Sequence, residues 1–168
     1  MMRVTTRSPE ETLARGRQLG ELLTPGDVVA LCGPLGAGKT TFVKGVADGL
    51  GVPHAQQAVK SPTFVLIKEY TGRCPVAHVD LYRMETLADA ERLDLHAYCT
   101  SGGVCLIEWA EKFPALLPAK YLRVTFEHCA PTERHLTFTP RGDVAAQIVA
   151  SLKRQWRVTT APAAPRVP

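Results

Sequence analysis

The segment that most constrains the fold is residues 28–51, because it contains a motif with a fixed structural context. Residues 33–40, Gly-Pro-Leu-Gly-Ala-Gly-Lys-Thr, fit G-x-x-x-x-G-K-[ST], the phosphate-binding P-loop pattern. Ordinary residue usage gives such a match by chance in about 1 in 200 chains of this length. The apolar run 28–32 before the motif predicts a buried parallel strand. Apolar residues at helical spacing after it predict a helix that Gly51 ends.

This context predicts binding of a nucleoside triphosphate. Glycines let such a loop curl so that its N–H groups point inward and form an anion-binding nest at a helix N-terminus. Lys39 is placed to meet the β- and γ-phosphate oxygens, and the Thr40 hydroxyl is placed to bind Mg²⁺. The residues predicted to contact the nucleotide here are Gly33, Pro34, Leu35, Gly36, Ala37, Gly38, Lys39, Thr40 and Thr41.

Composition limits the class of protein. A chain of 168 residues with 45% hydrophobic and 21% charged residues is typical of one globular domain. The net charge of +4 permits an acidic or nucleic-acid partner without requiring one. Five cysteines with no C-x-x-C pair support neither a disulfide framework nor a zinc site, and they favour a reducing compartment. No stretch is apolar enough to span a membrane, so we expect a cytoplasmic protein.

The first half of the chain predicts alternating helices and strands. A helix should begin with Ser8 as N-cap and Glu11 in a capping box, and end at the turn 24–27. Residues 52–60 are predicted to be irregular. The segments 64–70 and 76–80 predict two strands of a hairpin, and 87–98 predicts a helix.

The second half completes an α/β pattern. Residues 104–108 predict another buried strand, and 109–118 a short helix or loop. Alternating apolar residues predict two half-exposed strands around 122–126 and 136–138, followed by a helix over 144–156. We therefore predict one three-layer P-loop NTPase-like α/β domain over residues 1–156, with a mixed, mainly parallel central sheet. The proline-rich segment 157–168 is predicted to be disordered.

Two predicted strands end in an acid, at the sheet edge where α/β proteins place their ligands. They are Val-Ala-His-Val-Asp, ending at Asp80, and Val-Cys-Leu-Ile-Glu, ending at Glu108. Mg²⁺ keeps several waters and needs one or two carboxylates besides Thr40. We assign Asp80 as a metal ligand, direct or through water. Glu108 is either an outer metal ligand or the group that orients the attacking water.

Three more residues are candidates for the site. Thr63 follows a stiff Ser-Pro pair, and its hydroxyl could sense Mg²⁺ and γ-phosphate as switch loops do, or it could simply begin a strand. His78 fits a structural role better than a catalytic one. Trp109, beside Glu108, fits packing and nucleotide or partner contact equally well.

Together with the P-loop, four further segments resemble the TsaE (YjeE) family, the small ATPase of the bacterial pathway that makes threonylcarbamoyladenosine in transfer RNA. These segments are Ser-Pro-Thr-Phe (61–64), Glu-Tyr (69–70), His-Val-Asp-Leu-Tyr-Arg (78–83) and Ile-Glu-Trp (107–109). The resemblance runs from about Ser8 to Phe138. The sequence departs from it at Pro34, where an aspartate is common, and at Ala110, where a proline is often found.

The resemblance implies ATP or ADP and Mg²⁺ as ligands. It also implies weak hydrolysis by the protein alone and stronger hydrolysis with its partners, the TsaD and TsaB proteins, so that tRNA is met only through the complex. ATP turnover would then drive or reset that complex. The positions that match the family's functional residues are Lys39, Thr40, Thr63, Asp80, Glu108 and Trp109. On this basis the catalytic set comprises Lys39, Thr63, Asp80 and Glu108, the metal ligands are Thr40, Asp80 and Glu108, and Trp109 joins the nucleotide-binding set.

Other P-loop classes fit less well. The chain has no asparagine, so it cannot contain the N-K-x-D motif with which Ras-type GTPases read guanine. It also lacks an ABC-type signature segment. A small-molecule kinase needs an arginine-bearing lid, and the segment 84–100 contains only Arg92. A nucleotide-gated adaptor with incidental hydrolysis stays open beside the ATPase.

Overall fold

The computed structural model describes residues 1–159, and side chains through residue 156. The strands are β1 (Met2–Thr6), β2 (Val28–Cys32), β3 (Ile67–Thr71), β4 (Pro75–Asp80), β5 (Val104–Glu108), β6 (Tyr121–His128) and β7 (Arg134–Arg141). The helices are α1 (Pro9–Gly20), α2 (Lys39–Gly49), α3 (Ala55–Ala58), α4 (Leu87–Glu91), α5 (Leu95–Thr100) and α6 (Asp143–Thr159). Two 3-10 turns, Ala110–Lys112 and Pro114–Leu116, follow β5.

The seven strands form one mixed sheet in the order β1-β7-β6-β2-β5-β4-β3. The four central strands β6, β2, β5 and β4 run parallel, and the pairs nearer the edges are antiparallel. Both central strands β2 and β5 are buried along their whole length, as expected for strands covered on both faces. The predicted fold class, an α/β domain with a mixed sheet that is parallel at its centre, is confirmed.

Helices cover both faces of the sheet and give three layers. Alternate residues of each central strand point to opposite faces. Val29 and Leu31 of β2 pack into a core with residues of α1, α2 and α6. Val28 and Ala30 pack into a second core with residues of α4, α5 and the segment after β5. The P-loop, which follows β2, therefore begins between two layers of packed helices.

Register places the acids beside the P-loop. Asp80 of β4 is the pairing partner of Glu108 of β5, and Glu108 is in turn paired with Leu31 of β2. Neighbouring strands lie about 4.8 Å apart, so both acids emerge at the edge from which the P-loop starts.

Helix α1 packs against α2 through glycines that allow the two backbones to touch. A Cβ at Gly45 would lie 2.0 Å from the Leu13 carbonyl oxygen, and one at Gly16 would lie 2.3 Å from the Phe42 carbonyl oxygen. Distances this short leave no room for a side chain. The helix that carries Lys39 at its start is therefore fixed against α1.

We expect Gly45→Ala to destabilise the fold. Alanine gains about 1 kcal/mol over glycine in helix propensity, but forcing the helices apart costs about 1–3 kcal/mol or more. The expected net result is a fall of several degrees in the midpoint of thermal unfolding, measured by circular dichroism. Lys44→Ala introduces the same residue one position earlier on α2 and should change the midpoint much less. A midpoint for Gly45→Ala at or above the wild-type value would contradict this packing.

Arg73 ties the β3–β4 turn to the ends of both helices. Its guanidinium donates to the carbonyl oxygens of Gly49 at 2.6 Å, and of Gly20 and Leu23 at 2.6 Å each. A cation beside carbonyls at helix C-termini is favourable for the helix dipole. The hairpin that contains β4 is thereby anchored to the α1–α2 pair.

The structure differs from the predicted elements in three segments. The strand predicted over 64–70 begins only at Ile67, because residues 62–66 form a turn in which Leu66 has a positive φ of 69°. The helix predicted over 87–98 is divided into α4 and α5 at Asp94, whose φ is 45°. The segment 52–60, predicted to be irregular, contains the one-turn helix α3.

Two further differences lie at the ends of the chain. Strand β1 was not predicted, and it forms an edge of the sheet by antiparallel pairing with β7. Helix α6 continues to Thr159, beyond the predicted end at residue 156. The remainder of the segment predicted to be disordered, residues 160–168, lies outside the described residues. Across the part of the chain that is described, every helix is too short or too polar to cross a membrane.

Candidate functional site

A cleft of about 340 Å³ opens between the P-loop and the ends of β4 and β5. Its lining residues come from the P-loop, the 61–63 turn and the segments after both strands: Leu35, Gly36, Ala37, Gly38, Lys39, Thr40, Thr41, Ser61, Thr63, Asp80, Tyr82, Glu108 and Trp109. Residues that are far apart in sequence thus meet at one edge of the sheet. Concave sites with a few convergent polar groups are the usual form of a ligand-binding pocket.

The P-loop backbone depends on its glycines. Gly33, Gly36 and Gly38 have φ values of 139°, 72° and 100°, which side-chain-bearing residues rarely adopt. A Cβ at Gly33 would also lie 2.5 Å from the Phe126 carbonyl oxygen. The loop therefore curls as an anion nest requires.

Lys39 lies folded into this loop, and it is only 4% exposed. Its ammonium donates to the carbonyl oxygens of Gly33 at 2.6 Å and Pro34 at 2.8 Å. The face of the Trp109 ring covers it, with the ammonium nitrogen 3.9 Å from the ring centroid. Burial lowers the pKa of Lys39, and the carboxylates of Glu108, Glu111 and Asp80 oppose that shift.

The backbone of Trp109 is strained. Its φ is 60°, in the left-handed region that a bulky residue seldom adopts. Its ring also packs against Tyr82, with 4.9 Å between the ring centroids. Such strain persists where the surroundings impose it and is common at functional sites. Trp109 thus packs against the second core and also covers the cation.

Glu108 links the P-loop to a buried histidine. The Thr40 hydroxyl donates to Oε1 and Oε2 of Glu108 at 2.9 and 3.1 Å, and His78 Nε2 lies 2.9 Å from Oε1. An ionised carboxylate only accepts hydrogen bonds, so in this contact Nε2 of the histidine is the donor. His78 is 0% exposed, and its Nδ1 has no partner among the described residues. His78 therefore positions Glu108.

Asp80 is equally well fixed. Its Oδ2 accepts hydrogen bonds from Ser61 at 2.5 Å and Thr63 at 2.8 Å, and Oδ1 accepts one from the Tyr82 backbone N–H at 2.9 Å. A carboxylate offers about four acceptor sites, of which the described residues fill three. One acceptor site on Oδ1 is left for a metal or a water bound to it.

Glu111 contacts the start of the P-loop, although nothing in the sequence indicated this. Its Oε1 accepts a hydrogen bond of 2.9 Å from the Gly33 N–H. The neighbouring Cys32 thiol is buried beside this carboxylate, and burial together with the negative charge raises its pKa to about 12. Cys32 is therefore a neutral thiol rather than a reactive thiolate.

A second cleft, of about 160 Å³, lies on the other side of the P-loop. It is lined by the start of α1, by Gly36, Gly38 and Thr41 of the P-loop region, and by the β6–β7 turn: Ser8, Pro9, Thr12, Gly36, Gly38, Thr41, Pro131, Thr132 and Arg134. No carboxylate is among these described lining residues, whereas two line the first cleft. Among the residues described, the first cleft thus carries negative side chains that the second does not.

The structure brings the predicted residues together: every predicted nucleotide, metal and catalytic residue except Gly33 and Pro34 lines the first cleft, and Lys39 contacts those two. Their roles stay predictions. The residues that sequence reasoning left out are Ser61, Tyr82 and Glu111. Ser61 and Tyr82 lie within motifs already singled out, at 61–64 and 78–83, whereas Glu111 gave no signal of its own.

A glycine-rich loop between a buried parallel strand and a helix, facing acids on neighbouring strand ends, defines the P-loop class of α/β folds. Comparisons with known proteins narrow the class. The family described as Threonylcarbamoyl adenosine biosynthesis protein TsaE matches residues 6–136. The chain belongs to the TsaE family, and the resemblance inferred from its motifs is confirmed.

Individual relatives align with this chain over most of their own length. The tRNA threonylcarbamoyladenosine biosynthesis protein TsaE of Bacillus subtilis is 43% identical over 155 residues, covering 92% of this chain and 95% of that protein. The protein of the same name from Treponema pallidum is 40% identical over 136 residues, covering 81% and 98% respectively. The crystal structure of Bacillus subtilis YdiB superposes with a TM-score of 0.75 at 37% identity, covering 92% of this chain and 95% of the other.

Proposed function

We propose that this protein binds ATP with Mg²⁺ in the first cleft and hydrolyses it as a subunit of the tRNA threonylcarbamoyladenosine machinery. The observation that carries the proposal is the convergence of Lys39, Thr40, Asp80 and Glu108 on one cleft beside the P-loop. A cation, a hydroxyl and two carboxylates are the groups that hold a metal-bound polyphosphate in P-loop proteins.

The donor set fits magnesium. Thr40 and Asp80 supply the hard oxygen atoms that Mg²⁺ prefers, and Asp80 has one acceptor site left for it. Because the Thr40 hydroxyl donates its proton to Glu108, its lone pairs are free to face a cation. The metal, when bound, would neutralise charge on the β- and γ-phosphates. Glu108 would thus act as an outer-shell group that orients Thr40 and a nearby water.

In this proposal, different parts of the nucleotide bind in the two clefts. Gly36, Gly38 and Thr41 line both of them, so a chain of phosphates would pass over the loop from one cleft to the other. Asp80 and Glu108, the carboxylates proposed to hold the metal, line the first cleft and are not among the described residues that line the second. We therefore assign the γ-phosphate and the metal to the first cleft, and the ribose and adenine to the second, beside Arg134.

The biological role follows from the family. Relatives of this chain carry the name tRNA threonylcarbamoyladenosine biosynthesis protein TsaE. We propose the same pathway here, in the cytoplasm, with the TsaD and TsaB proteins as partners and tRNA met only through them. Nucleotide turnover would energise or reset that complex.

Activation by partners also fits the composition of the cleft. Among its described lining residues none is an arginine, although phosphoryl transfer commonly needs one to stabilise charge in the transition state. A partner would supply that group or order the residues that are present.

The test is ATP hydrolysis by the purified protein alone and with TsaD and TsaB proteins added. The expected result is slow release of phosphate by the protein alone and a rate at least tenfold higher with both partners. Equal rates would reject partner activation. With γ-labelled ATP, all label should appear as free phosphate. Label on a nucleoside or sugar would instead identify a kinase, and tight ATP binding without phosphate release in either mixture would identify an adaptor.

A further inference from the structure

The β6–β7 turn brings together a thiol, a carboxylate and an imidazole outside the P-loop clefts. Cys129, Glu133 and His135 each offer a ligand atom, and these three atoms lie within 4.8 Å of one another. We propose that this group is a zinc-binding site. The proposal does not depend on nucleotide binding.

The chemistry of the three ligands selects zinc over the metal of the P-loop. Zn²⁺ takes thiolate, imidazole and carboxylate ligands in tetrahedral geometry, whereas Mg²⁺ prefers oxygen alone. A thiolate and a carboxylate together carry two negative charges, which match a divalent ion. Tetrahedral ligand atoms lie roughly 3.5 Å apart. Small side-chain rotations would therefore close the group around the ion and leave the fourth position for water.

The turn that carries the ligands is held by its own backbone. The N–H groups of Cys129 and Ala130 donate to the Glu133 carbonyl oxygen at 3.1 and 3.3 Å, and the Glu133 N–H donates to the Ala130 carbonyl oxygen at 3.2 Å. The Arg134 guanidinium donates to the same two carbonyl oxygens at 2.9 and 3.0 Å. The backbone that carries Cys129 and Glu133 is thus already ordered. Binding of zinc would therefore cost little conformational entropy there.

The third ligand is oriented from a neighbouring strand. His135 Nδ1 lies 2.9 Å from the hydroxyl oxygen of Thr5 on β1. A metal-binding histidine usually engages its other ring nitrogen in such a bond, which fixes the ring and its tautomer. With Nδ1 occupied by Thr5, Nε2 is the nitrogen that binds zinc.

This site could not be predicted from the sequence, because the chain has no C-x-x-C pair. Its spacing is Cys-x₃-Glu-x-His across a hairpin, with one cysteine only. Cys129 is exposed, and the other four cysteines are buried. Reagents in solution therefore reach Cys129 before any other thiol, which makes its reactivity a direct readout of metal binding.

The test is alkylation of Cys129 by iodoacetamide in the full chain, followed by mass spectrometry, with and without one equivalent of Zn²⁺. Zinc should slow the alkylation at least tenfold, and the same concentration of Mg²⁺ should not. Glu133→Gln and His135→Gln should lose most of the protection. His128→Gln, next to Cys129 and exposed, should keep it. No protection in the wild type, or full protection in His135→Gln, would overturn the proposal.

Co²⁺ gives an independent measurement that does not depend on alkylation chemistry. The wild-type protein should show the thiolate-to-cobalt absorption band, and Cys129→Ser should lose it while keeping the thermal unfolding midpoint of the metal-free protein. A spectrum without that band in the wild type would also overturn the site.

Discussion

Glu108→Gln should lower the turnover of ATP by about 100- to 10,000-fold, the usual contribution of a group that handles a proton or a water in the reaction. Glutamine preserves the shape of the side chain. Its amide oxygen can still accept from the Thr40 hydroxyl and from His78 Nε2, the two contacts that fix Glu108 in the structure. What it removes is the negative charge. The affinity for ATP should therefore change only a few-fold.

The measurement is steady-state phosphate release at saturating ATP in the presence of the partner proteins, together with a nucleotide titration by calorimetry. Glu127→Gln, an exposed acid paired with Arg3, makes the same chemical change away from the cleft and should leave both quantities unchanged. His78→Leu should lower turnover in the same direction but less, because it removes only the support of Glu108. Unchanged turnover at saturation with lost binding would contradict the role given to Glu108.

Lys39→Ala should weaken the binding of ATP by about 10- to 150-fold, because one hydrogen bond to a charged group is worth roughly 1.5–3 kcal/mol. Lys39 is the cation of the P-loop, and its ammonium already donates to two loop carbonyl oxygens and lies over the face of the Trp109 ring. A phosphate oxygen would take the place of the ring. The loss should therefore be larger for ATP than for adenosine.

Nucleotide titrations with ATP and with adenosine measure this difference. Lys153→Ala removes an exposed lysine of α6 and should leave both affinities unchanged. If Lys39→Ala bound ATP as tightly as the wild type, the P-loop could not be the phosphate site. If it lost ATP and adenosine equally, the variant would have lost its fold, which the thermal unfolding midpoint would show.

The elements with strong local signals could be predicted from the sequence. Local patterns predicted the buried strand and helix around the P-loop, the hairpin of strands 64–70 and 76–80, and the capped start of α1. The first strand of the hairpin begins only at Ile67. The Ser8 hydroxyl accepts from the Glu11 N–H as the capping pattern predicts. The two acids also followed from sequence, because parallel strands end at one edge.

The remaining features depend on contacts that a sequence does not reveal. Strand β1 is five residues long and mostly polar, and pairing with β7 stabilises it. Leu66, Asp94 and Trp109 adopt left-handed backbones without being glycine, so no turn signal indicated where elements break. The carboxylate of Glu111 reaches Gly33 only after the segment following β5 has folded.

The strand order has a consequence for the order of folding during synthesis. The strand that leads into the P-loop, β2, pairs with β5 and β6, both of which are encoded after residue 103. In a chain emerging from a ribosome, β2 therefore lacks at least one of its two neighbouring strands until residue 128 has been translated. Long-range pairings of this kind close slowly and leave apolar strands exposed in the meantime. A phosphate cradle that follows β2 can take its final shape only after β5 and β6 have been synthesised and have paired with β2.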